Sequence, residues 1–133
     1  PYCLYYDTRV KAAVANCGIS EVNSYYAYNR PGTIPASMAL PGSVKYGVNT
    51  HDYIAAVAPR ALFISEGAHQ WGDGRPDPSD KKFAEDLALF KESYLQNGGS
   101  DIETVLFEEN GGRHCFPPLL KEQAYQWLDT HLK

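Results

Sequence analysis

Asp101-Ile102-Glu103-Thr104-Val105-Leu106-Phe107, followed by Glu108-Glu109-Asn110-Gly111-Gly112-Arg113-His114-Cys115-Phe116-Pro117-Pro118, is the stretch on which the fold turns. Its first part alternates and is rich in β-branched and aromatic side chains, the pattern of a strand. The two prolines open an amphipathic stretch that runs to the last residue, and proline is tolerated in the first turn of a helix. Between them lies a polar loop, loosened by Gly111 and Gly112, that carries His114. Strand, histidine-bearing loop and helix would be the last unit of an alternating chain.

The preceding segments repeat that alternation. Arg9-Val10-Lys11-Ala12-Ala13-Val14-Ala15-Asn16-Cys17 is an apolar run bounded by Asp7 and Gly18, the signature of a strand buried on both faces in a parallel sheet. Arg60-Ala61-Leu62-Phe63-Ile64-Ser65 is a second one. Asn49 or Thr50 can cap a short helix through His51, Asp52, Tyr53, Ile54 and Val57, with Asp52 near its positive end and Pro59 stopping it. Pro78, with Asp77 as cap, opens a long helix whose Phe83, Leu87, Phe90 and Tyr94 share one face, and Gly98-Gly99 ends it. In the terminal helix Tyr125, Leu128 and Leu132 form the expected inner stripe. From Gly18 to Asn49 no period is sustained, and so long an irregular stretch is usually functional. The expectation is a single α/β domain over residues 1–133, with parallel strands, right-handed crossovers and flanking helices in three layers.

Composition narrows the function classes. With 133 residues the chain can bury one real core, yet it is small for a complete enzyme of this build. A net charge of −4 argues against nucleic acid as the main partner, since phosphate binding needs clustered Lys and Arg. No apolar run approaches the roughly 20 residues of a membrane span. The three cysteines have neither Cys-x-x-Cys nor metal-ligand spacing, so no metal or cofactor is expected. Cys3 and Cys17 read as buried free thiols, with a bridge between them open to an oxidising compartment. Ten tyrosines are many, and several fall between Tyr25 and Tyr46. Tyr25, Tyr26 and Trp71 are candidate substrate contacts, or rings that tuck their loops onto the sheet.

In open parallel sheets, ligands bind beyond the carboxyl ends of the strands. Two loops leave strand ends with ionisable groups: Glu66, His69 and Asp73 on one, Glu108, Glu109 and His114 on the other. An acid on one such loop and a histidine on the next can orient an imidazole as general base. The carboxylate fixes the ring tautomer and stabilises the imidazolium formed when a serine loses its proton. The competing reading of His114 is a loop histidine bonded for structure. Cys115, adjoining it, should point away from the site, against a Cys–His nucleophile pair. Arg60 reads as a pin whose guanidinium holds the junction before the second strand.

Several segments resemble a known family. Asp7-Thr8-Arg9-Val10-Lys11-Ala12-Ala13-Val14 resembles the segment after the nucleophile helix in α/β-hydrolases of the dienelactone hydrolase and acetyl xylan esterase kind. Tyr46 through Leu62 looks like their helix-to-strand junction, here Ala58-Pro59-Arg60-Ala61-Leu62 where the family has Ala-Pro-Arg-Pro-Leu. Gly112-Arg113-His114-Cys115-Phe116-Pro117-Pro118 is similar to their catalytic-histidine loop, and Ala124-Tyr125-Gln126-Trp127-Leu128 to their terminal helix. The glucuronoyl esterases, a related branch, share the Pro-Arg junction and a comparable histidine loop. The resemblance covers nearly the whole chain and is weakest from Ser20 to Lys45.

It implies the C-terminal portion of an α/β-hydrolase fold and a serine-type carboxylic-ester hydrolase with His114 as base. The family's serine lies on a Gly-x-Ser-x-Gly elbow. Ser20, Ser37, Ser43 and Ser65 all lack its flanking glycines, so the nucleophile is expected outside this chain, in an N-terminal half that another polypeptide segment must supply. Alone, the chain should expose a sheet edge and associate. Relatives carry an aspartate three residues past a glycine that ends the second strand, but counting from Gly67 lands on Gln70. Asp73 is therefore the first candidate for the acid, with Glu66 and Glu21 as alternatives. The implied substrate is a carbohydrate or small acyl ester, such as an acetylated or glucuronoylated xylan. A non-catalytic hydrolase-like domain for binding or assembly, and a prolyl oligopeptidase-like peptidase, are the rival readings.

Overall fold

The computed structural model describes residues 2–21, 43–69 and 80–133. Within them the chain runs through α1 (Tyr2–Tyr6), β1 (Ala12–Asn16), α2 (Ser43–Tyr46), α3 (Thr50–Val57), β2 (Ala61–Gly67), α4 (Asp80–Gln96), β3 (Ile102–Phe107), a tight turn (Glu109–Gly112) and α5 (Pro118–His131). The strands form a sheet in the order β1-β2-β3, every pair parallel. Ala12 stands opposite Ala61 and Asn16 opposite Ser65, while Leu62 faces Ile102 and Gly67 faces Phe107.

β2 is the centre, with all seven residues buried. Successive side chains leave opposite faces of a strand, and the core divides accordingly. Leu62 and Ile64 join Ile54 and Val57 of α3 and Leu87, Phe90 and Tyr94 of α4. Phe63 turns the other way, to Phe107 of β3 and Leu120 and Ala124 of α5. Helices thus cover both faces in three layers, as the alternating pattern requires.

Two expectations need correction. β1 is not buried on both faces: Ala12 is buried, but Ala13 to Asn16 are only half-buried. Its sole partner among the described strands is β2, so its other long side pairs with no described strand. The inner stripe of α5 is Leu120, Ala124 and Trp127, whereas Tyr125 and Leu132 are exposed. Reading the large side chains set the helical phase one residue too late, because the small Ala124 marks the face that approaches the sheet most closely. The irregular stretch between β1 and α3 also contains a helical turn, Ser43–Tyr46.

The other elements follow their local signals. Asn49 caps α3: its side chain accepts from the backbone N–H of Asp52, and Asp52 Oδ2 accepts in return from Asn49 N at 2.7 Å, a reciprocal box to which Thr50 N adds a bond to Asn49 Oδ1 at 3.1 Å. α4 buries Phe83, Leu87, Phe90 and Tyr94 together, and Gly98 takes the left-handed conformation (φ +85°) that ends it. Asp77 and Pro78, expected to open that helix, lie outside the described residues. Arg60 is the expected pin, its Nη1 donating to Asp7 O (3.1 Å) and Val10 O (3.5 Å).

Candidate functional site

Each strand ends at the same edge of a parallel sheet, and α3 leads back to the start of β2. Its N-terminus therefore lies at the carboxyl edge, beside the exit of β1, where Thr50 Oγ1 donates to Ser20 O at 2.7 Å. Four chain segments meet there.

The exits of β2 and β3 are stitched together by backbone. Ala68 N donates to Phe107 O and His69 N to Gly112 O, both at 2.9 Å. A Cβ on Gly67 would overlap the carbonyls of Gly112 and Arg113, so only glycine permits this approach. Asn110, Gly111 and Gly112 all have positive φ (55°, 73° and 61°), which curls the loop back over the sheet. Side chains add a link, with His69 Nε2 3.1 Å from Glu108 Oε2.

That stitching delivers His114. On its far side the Cys115 carbonyl accepts from Asn16 Nδ2 (2.9 Å) and Cys17 Sγ (3.5 Å), and Ser65 Oγ donates to Asn16 Oδ1 (2.9 Å). Pro117 is fully buried just beyond. The loop is held on both sides of His114 while the residue itself is exposed, and no other described residue hydrogen-bonds or ion-pairs with its ring. Cys115 turns its side chain into the apolar layer with Phe63 and Phe107, away from this edge as expected.

The acids are placed differently from one another. Glu66 lies within β2 rather than on a loop and is fully buried, accepting from Ile19 N (2.6 Å) and Gly18 N (3.2 Å). It clamps the exit of β1 to the end of β2. Glu21, 3% exposed, accepts at Oε1 from the backbone N (2.8 Å) and Nδ1 (3.1 Å) of His51, while its own N–H donates to Asp86 Oδ2 (3.0 Å). Burial pushes the Glu21 carboxyl above the ordinary carboxylate range, against the opposing pull of the His51 bonds. Neither acid bonds to His114. Asp73, Gln70, Trp71, Tyr25 and Tyr26 lie outside the described residues.

All three cysteines are free, but they are less buried than expected: Cys3 is exposed and Cys17 and Cys115 half-buried. Cys3 sits on the outer side of α1, whose buried contact is Leu4. Burial, and next the charge of Glu66, push the Cys17 thiol up to about 11. That leaves almost no thiolate at neutral pH and disfavours Cys17 as a nucleophile. Among the described residues no three His, Cys, Asp or Glu side chains group as a metal site would require, and no helix is long and apolar enough to cross a membrane.

Sequence reasoning missed the pairing of Glu21 with His51 and that of His69 with Glu108. A signal for the first was present: a histidine in the first turn of a helix that returns from the carboxyl edge must lie near the residues leaving the previous strand. Compared with known proteins, the chain matches no family model, no curated protein and no solved structure.

Proposed function

We propose that the chain is the C-terminal part of an α/β-hydrolase fold and serves a carboxylic-ester hydrolase in which His114 is the general base. One observation carries this reading: an exposed imidazole, its ring unbonded by any described residue, stands on a firmly held loop at the carboxyl edge of a parallel sheet. A base must have a nitrogen free to take the proton, and here the supporting bonds come from neighbouring backbone instead of the ring. The serine would come from polypeptide outside these 133 residues, and Asp73 remains the first candidate for the acid because Glu66 and Glu21 are engaged elsewhere. Sequence resemblance favours a carbohydrate or small acyl ester as substrate.

The test is hydrolysis of p-nitrophenyl acetate by the full-length protein. His114→Ala should lower kcat/KM by about 10²- to 10⁴-fold, the usual worth of a positioned acid–base group. Hydrolysis unaltered by that substitution would remove His114 from the mechanism. A second reading, a hydrolase-like domain that binds without catalysis, is favoured by the lack of any carboxylate bonded to His114 among the described residues. It predicts no turnover even before substitution.

A further inference from the structure

Glu21 and His51 meet at the carboxyl edge although they lie 30 positions apart in the chain. Capping α3 would need only the bond from His51 N to the carboxylate. The same oxygen also takes Nδ1 at 3.1 Å, which fixes the ring as well as the helix. In the neutral imidazole facing an ionised Glu21, Nδ1 carries the proton and Nε2 keeps its lone pair. The imidazole is 31% exposed, and Asp52 Oδ1 stands 3.6 Å from Nε2, beyond hydrogen-bond range. The other oxygen of Glu21, Oε2, is buried without a partner among the described residues, as is Ser20 Oγ, so the surroundings of this carboxylate are incompletely satisfied.

We infer that Glu21 and His51 form a carboxylate–imidazole dyad at the carboxyl edge, and that Nε2 of His51 accepts a hydrogen bond from a hydroxyl on the alcohol portion of a bound ester. The inference rests on the reading that this edge binds an ester. The charges facing the ring select the ligand class. Asp52 projects from α3, and Asp86 of α4 lies behind Glu21 with Lys82 Nζ 3.3 Å from its Oδ1. Among the described residues three carboxylates stand against one ammonium, which disfavours an anion, whereas a neutral O–H group supplies the donor that a neutral Nε2 lacks. A polyhydroxylated alcohol such as a sugar meets both conditions.

Two measurements test this on the full-length protein. His51→Asn keeps an amide N–H where Nδ1 donates to Glu21 and removes Nε2, so α3 stays capped. Relative to the unsubstituted protein, kcat/KM for acetylated xylo-oligosaccharides should fall about three- to tenfold further than kcat/KM for p-nitrophenyl acetate, whose leaving group has no further hydroxyl, in keeping with one neutral hydrogen bond. An equal loss on both substrates overturns the dyad's role. His114→Ala should depress both substrates alike, so failure of the hydrolase reading shows separately. The second measurement needs neither turnover nor a variant: xylotriose should shift the His51 Cε1–H resonance of the unsubstituted protein. No shift at saturating xylotriose refutes the proposal, even if the protein hydrolyses nothing.

Discussion

Gly67 and Gly112 set the separation of two loops that together present His114. No side chain fits at Gly67, because its would-be Cβ coincides with carbonyls of the facing loop. Gly67→Ala should therefore lower stability by about 1–3 kcal/mol, measured as a fall in the urea midpoint, and should depress ester hydrolysis with it. A variant as stable as the parent would show that the loops separate without cost. At this scale the sequence was legible where one residue type has one use. Arg60 before a strand reads as a pin and bonds as one, and His114 on a glycine-loosened loop reads as an exposed residue and is one. Partnerships between distant residues were not legible. Glu21 was only one of several acids near strand ends, and nothing local says that its carboxylate reaches the first turn of a helix 30 positions on.

Elements were easier to read than their edges and phases. α4 is marked by four large apolar side chains at helical spacing, and all four are buried. The same face carries Asp86, 1% exposed, which an apolar pattern cannot reveal because its burial depends on bonds to another segment. The large side chains of α5 point to a face one residue from the buried one for the opposite reason, since alanine contributes little to a hydrophobic count yet permits close packing. Glu21 is where elements are coupled: its side chain holds α3 and its backbone holds α4. Its native carboxyl is raised, so it binds a proton more readily in the folded than in the unfolded chain. Its contribution to stability is full below the unfolded carboxylate value and is lost as pH rises through the raised native one. Urea midpoints should accordingly carry a falling component between these limits, and Glu21→Gln should remove it. An identical pH dependence in the variant would rule out Glu21 as its source.

For the whole molecule, parallel alternation was legible because buried runs, helix caps and crossover lengths all agree. The half-exposure of β1 was not, since its apolar residues are those of an interior strand and the sequence cannot say what lies beside it. A strand of this composition, with one side unpaired among the described residues, is a template for association. The 133-residue chain alone should sediment as a mixture of oligomers at micromolar concentration. A monodisperse, cooperatively melting monomer would contradict this.

Glu66 has a consequence for any search for the catalytic acid by substitution. It is a carboxylate at the right end of the right strand, and its removal would free Gly18 and Ile19 from the sheet. Bonds from backbone N–H to a buried carboxylate contribute about 1.5–3 kcal/mol, enough to disturb the edge on which the proposed base stands. Loss of activity on Glu66→Gln would then report the loss of that edge. Turnover and fold should fail together in that variant, whereas loss of an acid that serves only the proposed base would leave the fold intact.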